Sequence, residues 1–249
     1  PLGYEDDRVV KPAITTKADR VYLLEHDEPE DKKPDYHATL KEELQDNGIA
    51  VHSVDCDIFD LYAVLGAVAE IITSHRDDEV YVNISTGSKI SAIGGMIACM
   101  VTRESGNVTP YYVRAEGYTS DDEAADDLPV SFGMAAMAEL PTYPIDGPSP
   151  QEIAMLQYVA DEQPVTKKEL IRRARKVVDR FRRNAEDKGI ELDTDPYMGE
   201  YRLLDTHILD PLAERECIKV DEVGRSKEIS ITEEGQNTLR AFEYLLQDD

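Results

Sequence analysis

The chain of 249 residues carries 52 acidic residues against 27 basic ones, which gives a formal net charge of −25 at pH 7. Its apolar fraction of 41% is enough for a folded core, and its length fits one or two domains. Because no apolar run reaches the roughly 18 residues of a membrane span and no secretory signal peptide is visible, we predict a cytoplasmic protein without a membrane partner.

The acidic surface is poor in lysine, which supplies only 12 of the 27 basic residues. This composition predicts a protein adapted to high salt, where screening tolerates the self-repulsion, although an ordinary acidic protein fits it too. Cys56, Cys99 and Cys217 lie far apart in apolar segments and are predicted to be reduced core residues. Neither the cysteines nor the histidines show metal-ligand spacing, so we expect no metal and no cofactor.

Residues 1–8 resemble a loop that joins a strand to a helix, and we expect that the strand either has been lost or lies outside the sequence. On that interpretation Gly3 and Tyr4 lie beside a turn formed by residues 85–89. Gly3 can equally be an ordinary turn glycine.

Strands and helices then alternate along the first half of the chain. The predicted strands span residues 20–25, 49–54, 80–84 and 108–113, and the predicted helices span residues 36–47, 61–74 and 88–103. Such alternation is typical of an α/β fold with a doubly wound, Rossmann-like parallel sheet. Ligands of that fold bind at the carboxyl ends of the strands, where the turn of residues 85–89 falls.

The turn after the third of these strands combines small polar residues with one cation. It reads Asn83-Ile84-Ser85-Thr86-Gly87-Ser88-Lys89 and opens the next predicted helix. The unpaired N–H groups at the start of a helix attract anions, and a lysine adds a full positive charge there. A purely structural alternative is that the hydroxyls cap the helix and Gly87 eases the turn.

Two segments rich in turn residues follow. Residues 120–127 form an acidic run, which we predict to be a solvated loop. Residues 141–150 contain four prolines and predict a stiff connector. We therefore predict a ligand-binding domain over residues 1–140, a linker over 141–150 and a second domain over 151–249.

The second domain has the order helix, helix, long helix, hairpin, helix. Ser149 caps the first helix, and Thr166 forms a capping box with Glu169 at the start of the second. The long helix is predicted over 201–216, the hairpin strands over 218–220 and 228–231, and the last helix from Thr232 to Leu246. This is the winged-helix order, and it resembles MarR-like DNA-binding modules.

Residues 167–183 hold nine basic residues and only two acidic ones. A helix over this segment can bury one apolar stripe and expose its cations, and basic helix faces bind phosphates. The predicted contacts to double-stranded DNA come from this segment, from the long helix and from the wing: Lys167, Lys168, Arg172, Arg173, Arg175, Lys176, Arg202, His207, Arg225 and Lys227. The alternative is a solvated helix balanced by acidic neighbours.

The order of elements over residues 1–116, with the turn quoted above, resembles the CRISPR-associated Rossmann-fold (CARF) domain. The whole chain resembles haloarchaeal CARF proteins with a C-terminal winged helix. The resemblance implies a homodimer whose two turns jointly hold a cyclic oligoadenylate or related nucleotide. It assigns ligand binding to Gly3, Tyr4, Asn83, Ser85, Thr86, Gly87, Ser88 and Lys89. The glycine-rich fingerprints of NAD-binding and ATP-binding loops are missing from the sequence, which disfavours both chemistries.

From these observations we predict a ligand-sensing transcriptional regulator and assign no catalytic residue. One alternative is a slow ring nuclease that cleaves its cyclic nucleotide, with Lys89 stabilising the phosphate charge and Ser88 or Thr86 positioning it. Another alternative is a non-enzymatic interaction scaffold whose acidic segments bind a basic partner.

Overall fold

The computed structural model describes residues 1–26, 36–104, 107–119, 129–223 and 226–246. The acidic run of residues 120–127 and the wing residue Arg225 lie outside the described residues. The chain divides into two compact units, Pro1–Asp146 and Gly147–Asp249. Within the described ranges, no helix has the length and apolar character that crossing a membrane requires.

The first unit alternates strands and helices as predicted, with bounds that differ by one or two residues. Its helices are α1 (Asp7–Thr15), α2 (Tyr36–Asp46), α3 (Leu61–Ser74) and α4 (Lys89–Val101). Its strands are β1 (Arg20–Glu25), β2 (Ala50–Asp55), β3 (Glu79–Asn83), β4 (Asn107–Arg114), β5 (Gly117–Tyr118), β6 (Ser131–Phe132) and β7 (Ala136–Glu139).

The strands pair in three small sheets. β1 lies parallel to β2, with Arg20 opposite Ala50, and β3 lies parallel to β4, with Glu79 opposite Asn107. β7 adds to β4 in antiparallel orientation, and β5 and β6 form a short antiparallel pair. The unit is therefore mixed α/β, but among the described residues the two parallel pairs are not joined into the single sheet that the sequence predicts.

The two faces of β1 pack against different helices, because successive side chains of a strand point to opposite sides. Leu23 packs in a buried cluster with Val9 and Ala13 of α1 and with two leucines of α2. Tyr22 points the other way, and its hydroxyl lies 2.7 Å from Nε2 of His75, the residue that ends α3. The β1–β2 pair thus lies between α1 with α2 on one face and α3 on the other.

Helices α3 and α4 pack closely against each other. A Cβ at Gly94 of α4 would lie 3.0 Å from a methyl of Val64 and 3.1 Å from the carbonyl oxygen of Leu61. The small-residue segment at the start of α4 therefore lets the helix approach α3, and this contact fixes the position of the turn that precedes α4.

The second unit is a winged helix domain. Its elements are α5 (Pro150–Glu162), β8 (Val165–Thr166), α6 (Lys167–Val177), α7 (Asp179–Asp187), α8 (Met198–Leu204), a π-helical turn (Asp205–Leu209), α9 (Asp210–Glu214), β9 (Ile218–Val223), β10 (Ser226–Ile231), α10 (Glu233–Phe242) and a short 3₁₀ turn (Glu243–Leu246). The sheet order is β8-β10-β9, so the hairpin forms the wing and the strand after α5 completes the sheet.

The predicted helix caps of this unit are confirmed. Ser149 accepts from the backbone N–H of Glu152 at the start of α5, and Thr166 forms its capping box with Glu169. Thr232 accepts from the N–H of Gly235 at the start of α10. These short polar side chains satisfy N–H groups that a helix start leaves unpaired.

Two predicted helices are interrupted. The basic segment breaks at Val178, which takes an extended conformation between α6 and α7. The long helix contains the π-helical turn directly before Pro211. Proline has no N–H to donate to the carbonyl four residues back, and its ring collides with that carbonyl, so the regular helix cannot pass through His207 to Pro211 unchanged.

Candidate functional site

The turn of residues 85–89 lies between β3 and α4, at the carboxyl end of β3. Gly87 has a φ of +80°, a conformation that favours glycine, and a Cβ there would lie 2.8 Å from both Pro1 Cβ and Ser91 Oγ. Ser88 is the N-cap of α4 and accepts from the N–H of Ser91. The turn therefore presents the amino end of a 13-residue helix.

The N-terminal loop lies directly against this turn. A Cβ at Gly3 would come within 2.7 Å of the backbone nitrogen of Gly87, so only glycine permits this approach. The ring of Tyr4 is 62% exposed beside it. The structure thus brings together the two segments that the sequence analysis placed side by side.

The hydroxyls of the turn make internal hydrogen bonds. Ser85 Oγ accepts from the N–H of Val113 at 2.5 Å. Thr86, only 2% exposed, donates to the carbonyl oxygen of Pro1 at 2.6 Å, and Ser88 Oγ donates to that of Ile58 at 2.5 Å. These side chains hold the turn in place rather than reach into solvent.

Asn83 also has a structural part in the turn. Its Nδ2 donates to the carbonyl oxygen of Arg8 at 2.8 Å, and its Oδ1 accepts from the N–H of Ser85 at 2.9 Å. The side chain therefore ties the end of β3 to α1. Of the eight predicted ligand residues, Tyr4 and Lys89 are the two with exposed side chains.

Glu5 occupies part of the predicted anion site, and the sequence analysis missed it. Its carboxylate lies near the N–H of Gly87, one of the groups expected to be open to a ligand, and this N–H acts to lower the pKa of Glu5. Arg8 Nη1 donates to Glu5 Oε1 at 3.0 Å and holds it there. Burial raises the pKa of Glu5 above its usual value, against the opposing effect of the Arg8 charge. The Glu5-x-x-Arg8 spacing was the available signal, because opposite charges three residues apart at the start of a helix can lie close enough to pair.

Glu5→Gln should strengthen the binding of an anionic ligand at this turn. The substitution removes a negative charge that competes for the Gly87 N–H, so we expect a gain of about threefold to tenfold at neutral pH. Because the pKa of Glu5 is raised, acidification from neutral pH should protonate it before an ordinary glutamate and strengthen binding by the wild type, but not by Glu5→Gln. Calorimetric titration at neutral and at acidic pH measures this, with the exposed Glu42→Gln as the control. Equal affinities for all three proteins would show that Glu5 does not compete with the ligand.

In the second unit, Arg175 contradicts the sequence-based prediction of an exposed DNA contact. Its side chain is fully buried, and Nε and Nη2 donate to the two carboxylate oxygens of Glu200 at 2.8 and 2.7 Å. Nη1 donates to the carbonyl oxygens of Glu191, Leu192 and Thr194. The prediction is wrong because the break at Val178 and the return of the chain through α8 cover this side of α6. Arg175 organises the segment between α7 and α8 instead.

Four of the other predicted DNA contacts are paired with carboxylates. Lys167 pairs with Asp205, Lys168 lies 2.6 Å and Arg172 3.4 Å from Asp195, and Lys227 lies 3.9 Å from Glu222. The guanidinium of Arg173 lies over the ring of Tyr158 at 5.6 Å. These contacts leave the side chains partly exposed but reduce the positive charge that they present.

A smaller set of cations has no ion pair with a described carboxylate. Lys176 is exposed at the end of α6, and Arg180 and Arg183 are exposed one turn apart on α7. We refer to Lys176, Arg180 and Arg183 as the basic patch. The Arg180 guanidinium contacts the ring of His207 in the π-helical turn, and burial together with the Arg180 charge lowers the pKa of His207. Arg202 of α8 is also exposed without such a pair.

Two further kinds of functional group in the described ranges are the possible metal ligands and the cysteines. They hold no group of three or more histidine, cysteine, aspartate or glutamate side chains arranged to bind a metal ion. The three cysteines are free and buried, and burial raises the pKa of Cys56 to about 11 and of Cys99 to about 12. Such thiols are protonated at neutral pH and therefore poor nucleophiles.

Comparison with known proteins gives one match for each unit. Residues 1–118 match a family described as HFX_2341_N-like, N-terminal, and residues 151–243 match the DUF6293 C-terminal winged helix domain. Over 192 residues, 68% of its length, the chain is 26% identical to the uncharacterized protein MJ1513 of Methanocaldococcus jannaschii. The chain spans 57% of that relative's length.

Proposed function

We propose that the chain is a ligand-responsive, DNA-binding transcriptional regulator. The observation that supports this best is the winged helix domain of residues 151–243, whose topology and family match both point to DNA. The basic patch would offer phosphates three cations that pair with no described carboxylate, at the corner between α6 and α7 close to the π-helical turn. Its neutralisation tests the DNA-binding half of the proposal.

The first unit would carry the sensing site, in a CARF-like domain with a doubly wound arrangement of strands. The support is the close approach of Gly3 to Gly87, which places the exposed Tyr4 and Lys89 at the amino end of α4. An aromatic ring can stack on a nucleotide base, and the ammonium can pair with a phosphate. The ligand class that fits this combination is a nucleotide, and the resemblance suggests a cyclic oligoadenylate.

A homodimer is the assembly that this site favours. Ile90 and Ile93 on α4 are 38% and 50% exposed, and Phe59 before α3 is 62% exposed. Apolar side chains exposed next to the turn suit burial against a second copy, which would bring two turns to one ligand. A ligand shared by both copies and DNA bound by both winged helices would then shift the same conformational equilibrium of the dimer. Binding of either one would therefore change the affinity of the dimer for the other.

Sensing is favoured over cleavage of the ligand. The ring-nuclease alternative needs a hydroxyl at the turn to position the phosphate, but those of Thr86 and Ser88 donate to carbonyl oxygens of the chain. The scaffold alternative rests on the acidic segments, and the run of residues 120–127 lies outside the described residues.

Lys89→Ala should weaken binding of cyclic tetra-adenylate by roughly tenfold or more, because a hydrogen bond to a charged group contributes about 1.5–3 kcal/mol. Lys89→Arg is the matched control and should retain most of the affinity, since it keeps the charge at the first position of α4. Calorimetry on the full chain in concentrated potassium chloride measures both. Undiminished binding by Lys89→Ala would place the ligand elsewhere.

A further inference from the structure

The side chain of Arg8, near the start of α1, is a buried cation with one unused donor group. Arg8 is only 3% exposed, and its guanidinium lies over the ring of Tyr112 at 5.3 Å from the ring centroid. Its Nε donates to the carbonyl oxygen of Val113 at 3.0 Å, and its Nη1 donates to Glu5 Oε1 at 3.0 Å. Its Nη2 is also buried and has no hydrogen-bond acceptor among the described residues. Because a buried donor without an acceptor is costly, Nη2 indicates a missing partner.

The Glu5 carboxylate lies between this guanidinium and the turn of residues 85–89. Its Oε1 accepts from Arg8, and its Oε2 would lie 3.3 Å from a Cβ at Gly3. The backbone nitrogen of Gly87 would lie 2.7 Å from the same Cβ. The carboxylate, the guanidinium and the turn therefore meet beside Gly3, close to the amino end of α4, where N–H groups attract anions.

Glu5 is an imperfect partner for these donors. Its carboxylate accepts from Nη1 of Arg8 and leaves Nη2 without an acceptor. Burial raises the pKa of Glu5 even though the Arg8 charge and the Gly87 N–H act to lower it, so the charged carboxylate is only partly compensated for leaving water. A phosphate group is charged at neutral pH and directs its oxygens tetrahedrally. One such group can therefore accept from Nη1, from Nη2 and from the turn.

The carboxylate can leave this position more easily than the guanidinium. Glu5 precedes α1, which begins at Asp7, and its side chain is 13% exposed, so rotation about its side-chain bonds brings the carboxylate to water. Arg8 lies within α1 and is held at Nε by Val113. A buried cation is stable when an anion pairs with it, and exchange of one anion for another keeps that pairing.

We propose that Arg8 and the N–H of Gly87 form a phosphate-binding pocket that Glu5 occupies in the absence of ligand, and that a phosphate group of the ligand displaces the Glu5 carboxylate. This inference rests on the proposed function, since the nucleotide supplies the phosphate, and it adds Arg8 to the residues that bind it. The ligand then replaces Glu5 as the link between α1 and the turn. Binding is thereby coupled to a change in the loop that carries Tyr4.

Titration calorimetry on the full chain tests the pocket with two anions, cyclic tetra-adenylate and inorganic pyrophosphate. Every variant carries Glu5→Gln, which removes the competing carboxylate, and Arg8 is either retained or replaced by methionine or lysine. We expect Arg8→Met to weaken the binding of both anions by about tenfold or more, the effect of losing a hydrogen bond between charged groups. Arg8→Lys keeps the charge but not the planar fork, so its affinity should be intermediate, with a loss of about threefold.

The Arg8→Met variant should remain folded, because uncharged side chains can replace both members of a buried ion pair, and thermal melting followed by circular dichroism checks this. If it does not fold, the loss of affinity in Arg8→Lys decides. Lys11→Met in the same background is the matched control, since Lys11 is a partly exposed cation of α1 that pairs with Asp7. It should change either affinity by less than about twofold.

The two anions separate this pocket from the proposed function. Binding of cyclic tetra-adenylate that does not depend on Arg8 would overturn the pocket and leave in place the sensing site, which depends on Lys89. Pyrophosphate binding that depends on Arg8, without binding of the nucleotide, would support the pocket and overturn the proposed ligand. If the Glu5→Gln variant binds neither anion, the pocket is wrong, because no carboxylate competes there.

Discussion

Arg175→Ala should destabilise the winged helix domain by about 3–5 kcal/mol, the usual cost of leaving one partner of a buried ion pair without the other. Glu200 would remain buried without a cation, and the carbonyl oxygens of Glu191, Leu192 and Thr194 would lose their shared donor. Since the chain has no tryptophan, unfolding is best followed by circular dichroism in a denaturant series.

Two further variants distinguish the loss of stability caused by breaking the buried ion pair from that caused by removing any cation. Lys168→Ala removes a cation from an exposed pair on the same helix and should cost no more than about 1 kcal/mol. The double variant Arg175→Met, Glu200→Leu should recover much of the lost stability, because it removes both buried charges together. A cost for Arg175→Ala as small as that for Lys168→Ala would mean that the buried pair does not hold the domain together.

Replacing Lys176, Arg180 and Arg183 with glutamine should weaken binding to operator and random duplexes alike. Each phosphate contact contributes about 0.9 to the slope of log K against log salt, so loss of three contacts should reduce that slope by about 2–3. Glutamine preserves helix propensity, and these side chains are exposed, so the fold should persist. Fluorescence anisotropy across a potassium chloride series measures the slope.

The matched control is the double variant Lys168→Gln, Arg172→Gln. Both cations share Asp195 as a counterion, so their loss should change the slope by less than about one unit. If the two variants reduce the slope equally, ion pairing within the domain does not decide which cations meet DNA. If neither changes it, the winged helix contacts DNA through another face or not at all.

The local elements of this protein follow from its sequence because their causes are local. The alternation of residues 20–25 with the helices around it predicts β1, and Thr166 with Glu169 predicts the start of α6. The contact of Gly3 with Gly87 was also predicted, but from the expected topology of an α/β fold rather than from a local pattern.

The properties of the site depend on contacts between residues far apart in sequence. Periodicity placed Arg175 among exposed cations because it shows which residues share a helix face, not what later segment covers that face. Glu200, 25 residues further on, decides that Arg175 is buried. In the same way Val113, Pro1 and Ile58 hydrogen-bond to the turn hydroxyls, and Glu5 lies near the N–H of Gly87.

The sequence by itself determined the kinds of elements, their order and the residues that open each helix, because propensities and capping act within a few positions. The tertiary structure alone decided which polar groups remain available to a ligand or to DNA. Availability depends on burial and on partners brought together by the fold, and neither is written in the local pattern of residues.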